Sequence, residues 1–460
     1  MRARFGCSTV LVAALLLANC GAILAQDQAS PIWKLRERED ISDIWNGNTV
    51  GLAFLARPDA LYIGFYSYDR AMTIGRRAYD SDKWELKKLP TQIGWDSHNY
   101  IAMTFDSEGR LHVAGNMHAR PLIYFRATKP NDVESLEKVE AMTGENEARC
   151  TYPTFLNDKE GRLIFTYRDG GSGNGNQIWN VYDEKSEKWT RLLDKPLFDG
   201  QGLMSAYFVG PTLAADGNFH VAWVWRDTPD AATNHDLSYA RSPDLIHWEK
   251  SSGEPCALPI TLETGEIVDP VPVGGGILNS HVRMSFDKDG RIVLVYTKYD
   301  DQGALQIWLA RLEENGWKKV QITDWDFTWK FSGGGSLPNE FGLSGARVAS
   351  PETLAVSWNQ VANKKSGTTY LDAETLRPCD PPERAVVASP RPDYSQDDAA
   401  LLNRVETEDA RLGAKSRSID VDGERWVFRW EAPGANRDRP LPDGAPKPTL
   451  LRVFKFQRNQ

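Results

Sequence analysis

Two histidines stand in polar surroundings on either side of one short hairpin. His98 lies in Asp96-Ser97-His98-Asn99-Tyr100, just before an alternating strand, and His118 ends Gly115-Asn116-Met117-His118, after the next strand. Imidazole changes charge near neutral pH, so it suits general acid or base catalysis. Because a hairpin brings its ends together, we predict that the two rings are close in space. The neighbouring Asn99 and Asn116 are predicted to bind substrate.

The other histidines have weaker indications of a chemical role. His112 and His220 lie within alternating strands, and His247 belongs to a hairpin, so all three are interpreted as structural. His235 and His281 remain open from pattern alone. His235 is kept as a substrate-binding candidate, together with Arg283.

A tyrosine and an arginine bracket a second hairpin. Tyr152 opens it in Cys150-Thr151-Tyr152-Pro153, and Arg168 closes it after an aromatic strand. A guanidinium presents a planar fork that matches a carboxylate. Asn174, in the glycine-rich run that follows, and Arg226, after the next aromatic strand, are further substrate-binding candidates. The glycine-rich run lacks the Lys-Ser/Thr ending and the helix of a phosphate-binding loop, so a ligand close to its backbone is the preferred interpretation.

A sequence motif that recurs along the chain is expected to form the strands on which these residues lie. It consists of an apolar strand, a turn of Asp, Asn, Glu or Gly, and an alternating strand, which together predict a hairpin. Copies are found at residues 57–63, 105–113, 157–165, 214–221, 286–294, 349–355 and 420–426. Seven hairpins at intervals of roughly 50 to 70 residues predict an all-β, seven-bladed β-propeller with four-stranded blades. We assign residues 26–460 to this single domain; a pair of β-sandwiches or a β-helix is the alternative.

Composition agrees with many short strands and limits the partners. The chain has 37 Gly, 26 Pro and 16 Trp, and its net charge of −9 argues against a surface for nucleic acid or anionic membranes. A local cationic pocket for an anionic substrate is compatible with that charge. Cys150, Cys256 and Cys379 follow residue 25 without metal-binding spacing, so one disulfide or three free thiols are the alternatives.

The amino terminus has the order of a signal peptide. Arg2 and Arg4 precede an apolar run, residues 10–18, and small residues continue to Ala25. We predict that residues 1–25 direct export to the periplasm or the medium, with acylation at Cys20 in an outer-membrane lipoprotein as the alternative. No later stretch has the length and apolarity of a membrane-spanning helix.

These motifs also resemble those of the BNR-4 group of propeller proteins. The resemblance covers nearly the whole mature chain and rests on the stretches at residues 97–100, 115–118, 151–153, 167–175, 180–183, 225–229, 234–240 and 331–336. The group includes ulvan lyases, rhamnose-glucuronate lyases and an α-L-rhamnosidase branch. The resemblance implies that His98 and His118 are the catalytic histidines, Tyr152 the catalytic tyrosine and Arg168 the residue that binds the uronate carboxylate. Thr297 stands where many relatives carry histidine.

The resemblance therefore implies a polysaccharide lyase that acts by β-elimination beside a glucuronate or iduronate. Tyr152 and His118 suit the base that removes the C5 proton and the acid that protonates O4, and His98 would neutralise the carboxylate or orient His118. Tyrosine has a pKa of about 10, so the neighbouring Arg and His charges are expected to lower it.

Two other functions stay open at this point. An α-L-rhamnosidase-type hydrolase acting on rhamnosyl-glucuronate would need two acids, for which only Asp169, Asp227 and Asp236 offer themselves. A carbohydrate-binding propeller without catalysis is the other alternative. The expected partner is an anionic polysaccharide or oligosaccharide. The sequence contains no recognisable set of metal ligands and no cofactor-binding motif. A structural ion in a propeller channel would leave no such motif. The oligomeric state stays open.

Overall fold

The recurring turns form the tight hairpins that their residues predict. In the computed structural model, which describes residues 32–383 and 393–458, three of these turns share one hydrogen-bond pattern. Asp106, Asp158 and Asp287 each accept, through Oδ1, the backbone N–H of the arginine four residues later, at 2.7 to 2.9 Å. The intervening glycines have φ near +80°, which is costly for a residue with a side chain. Asp and Gly thus fix the hairpin locally.

The strands of the described residues form six sheets, in which most neighbouring strands are antiparallel. The first sheet contains β2 (Ala53–Ala56), β3 (Ala60–Tyr66), β4 (Ala71–Ala78) and β5 (Glu85–Gln92). The second contains β6 (Ile101–Phe105), β7 (Leu111–Gly115), β9 (Tyr124–Ala127) and β10 (Leu136–Lys138). The third contains β8 (His118–Arg120), β11 (Cys150–Asn157), β12 (Leu163–Gly171), β13 (Asn174–Asp183), β14 (Lys188–Arg191), β15 (Ser205–Leu213), β16 (Phe219–Arg226), β17 (Asn234–Ser242) and β18 (Glu266–Asp269).

The remaining strands complete three smaller sheets. The fourth contains β19 (Arg283–Phe286), β20 (Ile292–Tyr299), β21 (Leu305–Glu313) and β22 (Gly316–Gln321). The fifth contains β23 (Phe341–Leu343), β24 (Arg347–Ser350), β25 (Thr353–Gln360), β26 (Lys365–Asp372) and β27 (Pro378–Cys379). The sixth contains β1 (Ile32–Ile44), β28 (Asp393–Tyr394), β29 (Leu412–Val421), β30 (Glu424–Pro433) and β31 (Thr449–Arg458).

Two of these sheets carry topological information. The third sheet consists of two antiparallel groups joined by a single parallel pair, Gly175 with Ser205. In the sixth sheet β1 pairs with β31, so the first and last described strands lie side by side. The three short 3₁₀ segments are Val133–Ser135, Ala231–Thr233 and Asn279–His281, and the α-helix α1 spans Gln396–Asn403.

Apolar cores join each of the first four sheets to the next, and another joins the sixth sheet to the first. Phe65 of the first sheet packs with Trp426 of the sixth, so the two ends of the sheet series are in contact. Trp179 and Trp223 form the core between the two halves of the third sheet. Sheets that bury both faces in this way read as aromatic and aliphatic on both faces of their strands, which the sequence shows at residues 221–225. The described residues are therefore all-β apart from short helical segments.

Two sequence expectations can be compared directly with these features. The three thiols are unbridged in the described residues, which decides between the alternatives above. No helix among the described residues has both the length and the apolarity needed to cross a bilayer. The proposed signal peptide, residues 1–25, lies outside the described part of the chain.

Candidate functional site

A row across three strands brings the site together. Thr151 in β11 pairs with His118 in β8 on one side and with Arg168 in β12 on the other. The register of β11 shifts after Thr151, and Tyr152 adopts φ +56°, a left-handed conformation that is unusual for a bulky residue. The bulge redirects the tyrosine, as bulges near active sites do. A histidine, a tyrosine and an arginine distant in sequence thus meet at one end of the sheet.

His98 and His118 stack on each other, as their hairpin spacing predicts. Their ring centroids are 4.7 Å apart, and each ring is 6.0 Å from the ring of Tyr152. The carboxylate of Asp96 joins the pair, because its Oδ1 lies 2.8 Å from Nδ1 of His98 and its Oδ2 lies 2.5 Å from Nδ1 of His118. A carboxylate on Nδ1 fixes the tautomer and leaves Nε2 as the chemically available nitrogen. In the described chain, no hydrogen bond engages Nε2 of either ring.

A second carboxylate reaches His98 from the other end of the chain. Asp438 Oδ2 lies 3.1 Å from Nδ1 of His98, and Asp438 Oδ1 accepts hydrogen bonds from the backbone and hydroxyl of Ser97. The backbone N–H of Ser336 donates to Asp438 Oδ2 at 2.8 Å. Burial lowers the pKa of His98, but Asp438 and Asp96 outweigh it and raise the pKa to about 9. His98 is therefore an imidazolium at neutral pH.

Arg168 is an almost completely buried cation with unsatisfied donors. Its side chain is 2% exposed, its Nε donates to the carbonyl of Gly170 at 3.4 Å, and Nη1 and Nη2 have no hydrogen-bond partner among the described residues. The guanidinium lies 4.8 Å from the ring centroid of Tyr152 and 5.1 Å from that of Tyr207. A buried charge with free donors is costly unless an anion completes it. The guanidinium of Arg168 is therefore suited to binding an anionic group.

Gly175 makes room for this arginine. A Cβ atom at residue 175 would lie 2.7 Å from Cγ of Arg168, closer than real Cβ contacts come. Part of the glycine-rich run therefore serves the close packing of Arg168 against β13.

The pKa values of the two tyrosines beside Arg168 shift in opposite directions. Burial raises the pKa of Tyr152 well above its ordinary value, and neighbouring Tyr207 adds to that rise more than Arg168 opposes it. The expectation that nearby cations lower the pKa of Tyr152 below its ordinary value is therefore wrong. For Tyr207, burial also raises the pKa, but Arg168, Arg226 and the hydroxyl of Ser172 outweigh it and the net shift is downward.

These groups border two adjoining cavities. The first, of about 420 Å³, is lined by residues that include His98, Tyr152, Arg168, Gln177, Tyr207 and Asn279. The second, of about 720 Å³, is lined by residues that include Asp96, Asn99, Asn116, His118 and Asp438. His98 lines the first cavity and His118 the second, so the stacked imidazoles lie where the two cavities approach each other.

A model described as a BNR repeat-containing family member (BNR_4) matches residues 60–325, more than half of the chain. The protein belongs to this BNR-repeat family.

The relatives of this BNR-repeat protein include ulvan lyases. The short isoform from Alteromonas sp. (strain LOR) is 29% identical over 145 residues, which are 27% of this chain and 27% of that protein. The long isoform from Alteromonas sp. is 43% identical over 133 residues, which are 26% of this chain and 13% of that protein. The chain thus aligns with about a quarter or less of the length of these relatives.

Solved structures share the fold across most of the chain. The polysaccharide lyase Uly1 has a TM-score of 0.58 at 14% identity and covers 92% of this chain and 99% of its own. A PL25 ulvan lyase bound to -[GlcA(1-4)Rha3S]- has a TM-score of 0.54 at 13% identity and covers 85% of this chain and 93% of its own. Likeness at such low identity establishes the fold of the BNR-repeat protein.

The predicted substrate-binding residues divide into two groups. Asn99 and Asn116 line the second cavity, and the Nδ2 group of Asn116 is already bound to Thr91 and the carbonyl of Gln92. Arg226 is buried, donates to the carbonyls of Thr228 and Pro229, and lies 5.3 Å from the ring of Tyr207, so it acts on that tyrosine.

The other three candidates are not among the residues that line these two cavities. Asn174 is exposed at the tip of the β12–β13 hairpin. Both ring nitrogens of His235 are engaged, by Asp227 at 2.9 Å and Asp236 at 2.8 Å, which favours a structural role. Arg283 lines a separate cleft beside the fifth sheet.

Three residues of the site have no role in the sequence-based prediction. Asp96 stands two residues before His98, a spacing that could have indicated an orienting carboxylate. Tyr207 occupies the first strand of its repeat, as Tyr152 does in the preceding one, so the repeat alignment carried a signal for it. Asp438 has no sequence signal, because only the packing of its loop against residues 95–98 brings it to His98.

The Asp96, His98 and His118 cluster also has the residue types of a metal site. Its O–N separations of 2.8 and 2.5 Å are hydrogen-bond distances. Ligand atoms about 2.0 Å from a tetrahedral zinc ion lie about 3.3 Å from one another. The geometry therefore fits shared protons better than a shared ion.

Proposed function

We propose that this protein is a polysaccharide lyase that cleaves beside a glucuronate or iduronate in ulvan or a similar rhamnose- and uronate-containing polymer. The observation that carries the proposal is the buried guanidinium of Arg168, whose free donors share one cavity with His98 and Tyr152. The ulvan lyases among its relatives and the lyase fold support this substrate class.

The first requirement of β-elimination is to stabilise the carboxylate as the C5 proton leaves. Arg168 offers two N–H donors in a bidentate geometry, and the His98 imidazolium adds a second positive charge. Arg168 is almost completely buried, and charge stabilisation is strong where water has little access. These two cations make the C5 proton more acidic by stabilising the enolate-like charge.

The second requirement is a base and an acid. His118, held at Nδ1 by Asp96, uses Nε2 to accept the C5 proton, so the base and acid roles are the reverse of those expected from the sequence. The C4–O4 bond then breaks, a C4=C5 double bond forms, and the neutral phenol of Tyr152 gives its proton to O4. The raised pKa of Tyr152 supports the role of acid, because the phenol stays protonated until O4 accepts its proton. Exchange with water restores both groups.

The hydrolase alternative has less support in the geometry. Asp227 and Asp236 are both engaged by His235, and Asp96 and Asp438 are engaged by the catalytic histidines and by Ser97. Two carboxyl groups free to flank a glycosidic bond are thus missing from the described cavity linings.

The architecture and location belong to the same proposal. Counting the third sheet as two units gives seven antiparallel units, so we propose that they are the blades of a β-propeller with the sixth sheet closing the ring. The pairing of β1 with β31 and the contact between the first and sixth sheets support closure. Export through residues 1–25 would place the enzyme with its polymeric substrate.

The test is to incubate the purified mature protein with ulvan and to follow ultraviolet absorbance and products. A lyase produces an absorbing unsaturated uronate, whereas a hydrolase produces new reducing ends without that absorbance. Tyr152→Phe serves as the inactive comparison, and Tyr68→Phe, at an exposed tyrosine, is the matched control. Cleavage without absorbance, or no cleavage of ulvan and gum-type uronate polymers, would rule the proposal out.

A further inference from the structure

We propose that the cleft between Arg283 and Trp358 is a second subsite, which binds another acidic or sulfated sugar of the same polymer. This inference rests on the proposed function and extends it along the substrate chain. The cleft has a volume of about 690 Å³ and is separate from the two catalytic cavities.

The lining has the composition of a site for an anionic sugar. Its side chains include Arg283, Trp358, Asn359, Ser344, Ser357 and Thr368. Hydroxyl and amide groups can exchange hydrogen bonds with sugar hydroxyls, and no carboxylate is among these residues. By contrast, a cavity of about 540 Å³ beside the fourth sheet contains Asp300, Asp301 and Asp324, which would repel an anionic polymer.

Arg283 is the charged group of this cleft. Its Nη1 donates to the carbonyls of Ser280 at 2.6 Å and Val282 at 3.0 Å, which holds the guanidinium in one orientation. Within the described residues, no carboxylate lies within ion-pair distance of it. A preoriented guanidinium that the protein does not neutralise favours binding of an anion.

Trp358 supplies a fixed aromatic surface. Its Nε1 donates to Thr369 at 3.2 Å, and Trp325 packs edge-on with centroids 4.6 Å apart. A Cβ at residue 367 would lie 2.8 Å from the indole ring, so only glycine there leaves the ring in place. The side chain is partly exposed, and an indole offers a flat surface to the C–H face of a sugar ring.

One short turn links this cleft to the catalytic cavity. Asn279 lines the catalytic cavity, and Ser280, the next residue, accepts the hydrogen bond from Arg283. His281 ties the turn to β23 through the carbonyl of Phe341 at 3.1 Å, next to Gly342 of the cleft. Burial lowers the pKa of His281 to about 4, so this connection is uncharged at neutral pH. The rigid connection suits a polymer that occupies both sites at once.

The experiment compares Arg283→Ala and Trp358→Ala with wild type on polymeric ulvan and on the shortest oligosaccharide that is cleaved. We expect KM for the polymer to rise about tenfold, with kcat and the kinetics of the short substrate unchanged. Arg417→Ala, at an exposed arginine in β29, is the matched control. Arg283→Lys and Trp358→Phe, with melting temperatures, separate lost binding from lost folding.

A second arm identifies the anion. If sulfate is bound, desulfated ulvan abolishes the difference between Arg283→Ala and wild type; if carboxylate is bound, the difference persists. If both variants keep the wild-type KM for the polymer, the subsite is rejected while the lyase proposal stands. If wild type releases no unsaturated product, the lyase proposal fails. The subsite is then judged by whether Arg283→Ala weakens binding of the polymer in affinity electrophoresis.

Discussion

Oδ2 of Asp438 lies 3.1 Å from Nδ1 of His98, although the two residues come from opposite ends of the chain. The same carboxylate binds Ser97 and Ser336, so it joins three loops at the edge of the site. Through this contact, the loop that follows β30 raises the pKa of His98.

The first prediction concerns that charge. Asp438→Asn removes one of the two anions beside His98, so we expect the pKa of His98 to fall from about 9 by about 1 to 2 units. The other charged or titratable neighbours, Asp96, His118 and Tyr152, are unchanged. NMR titration of the imidazole measures the shift directly, and the alkaline limb of the pH–kcat/KM profile should move with it. Asp443→Asn, at an exposed carboxylate of the same loop, is the control, and an unmoved His98 titration would contradict the prediction.

The pH dependence of stability follows from the same group. The pKa of His98 is higher in the folded protein than its ordinary value of 6.5. Its contribution to stability is therefore complete below about pH 6.5 and is lost as pH rises through about 9. The difference in melting temperature between wild type and Asp438→Asn should shrink between these pH values. A constant difference would show that the ion pair does not contribute in this way.

The third prediction distinguishes the two tyrosines. Tyr152→Phe removes the proposed proton donor, and we expect kcat to fall about a hundredfold to ten thousandfold with little change in melting temperature. Tyr207→Phe leaves that proton in place and should lower kcat less. Steady-state kinetics on ulvan compares them. If kcat falls equally in both variants, or falls further in Tyr207→Phe, Tyr152 is not the specific proton donor.

The fourth prediction tests the anion receptor through packing. Gly175→Ala places a methyl group 2.7 Å from Cγ of Arg168 and must displace that side chain. We expect kcat/KM to fall about a hundredfold, as when one stabilising donor is removed. Gly413→Ala, where a Cβ meets no atom within 4 Å, is the matched control. Wild-type kinetics in Gly175→Ala would show that the placement of Arg168 is not critical.

The fifth prediction concerns Asp96. Asp96→Asn removes the anion shared by His98 and His118, so we expect kcat to fall at least a hundredfold. Because the O–N separations fit hydrogen bonds, treatment of wild type with a chelator should leave activity unchanged. Zinc that binds to wild type but not to Asp96→Asn would instead show that the cluster holds an ion.

The hairpins and the proximity of the two histidines could be predicted from the amino-acid sequence. In the Asp and Gly turns, a hydrogen bond joins an aspartate to the residue four positions later and fixes the hairpin. The repeat could therefore be recognised without a structure. The pairing of His98 with His118 was also legible, because one hairpin separates them. The roles of Tyr152 and Arg168 came from resemblance, since nothing local places a tyrosine and an arginine of one hairpin in the same cavity as those histidines.

The contacts and charges that complete the site depend on how the sheets pack in three dimensions. Asp438 reaches His98 because the sixth sheet packs beside the first, and two aspartates engage both ring nitrogens of His235. The pKa of Tyr152 was expected to fall and instead rises, since desolvation depends on how neighbouring sheets enclose the ring. Short-range hydrogen bonds are set by sequence spacing, whereas burial and charge at a site depend on which sheets meet there.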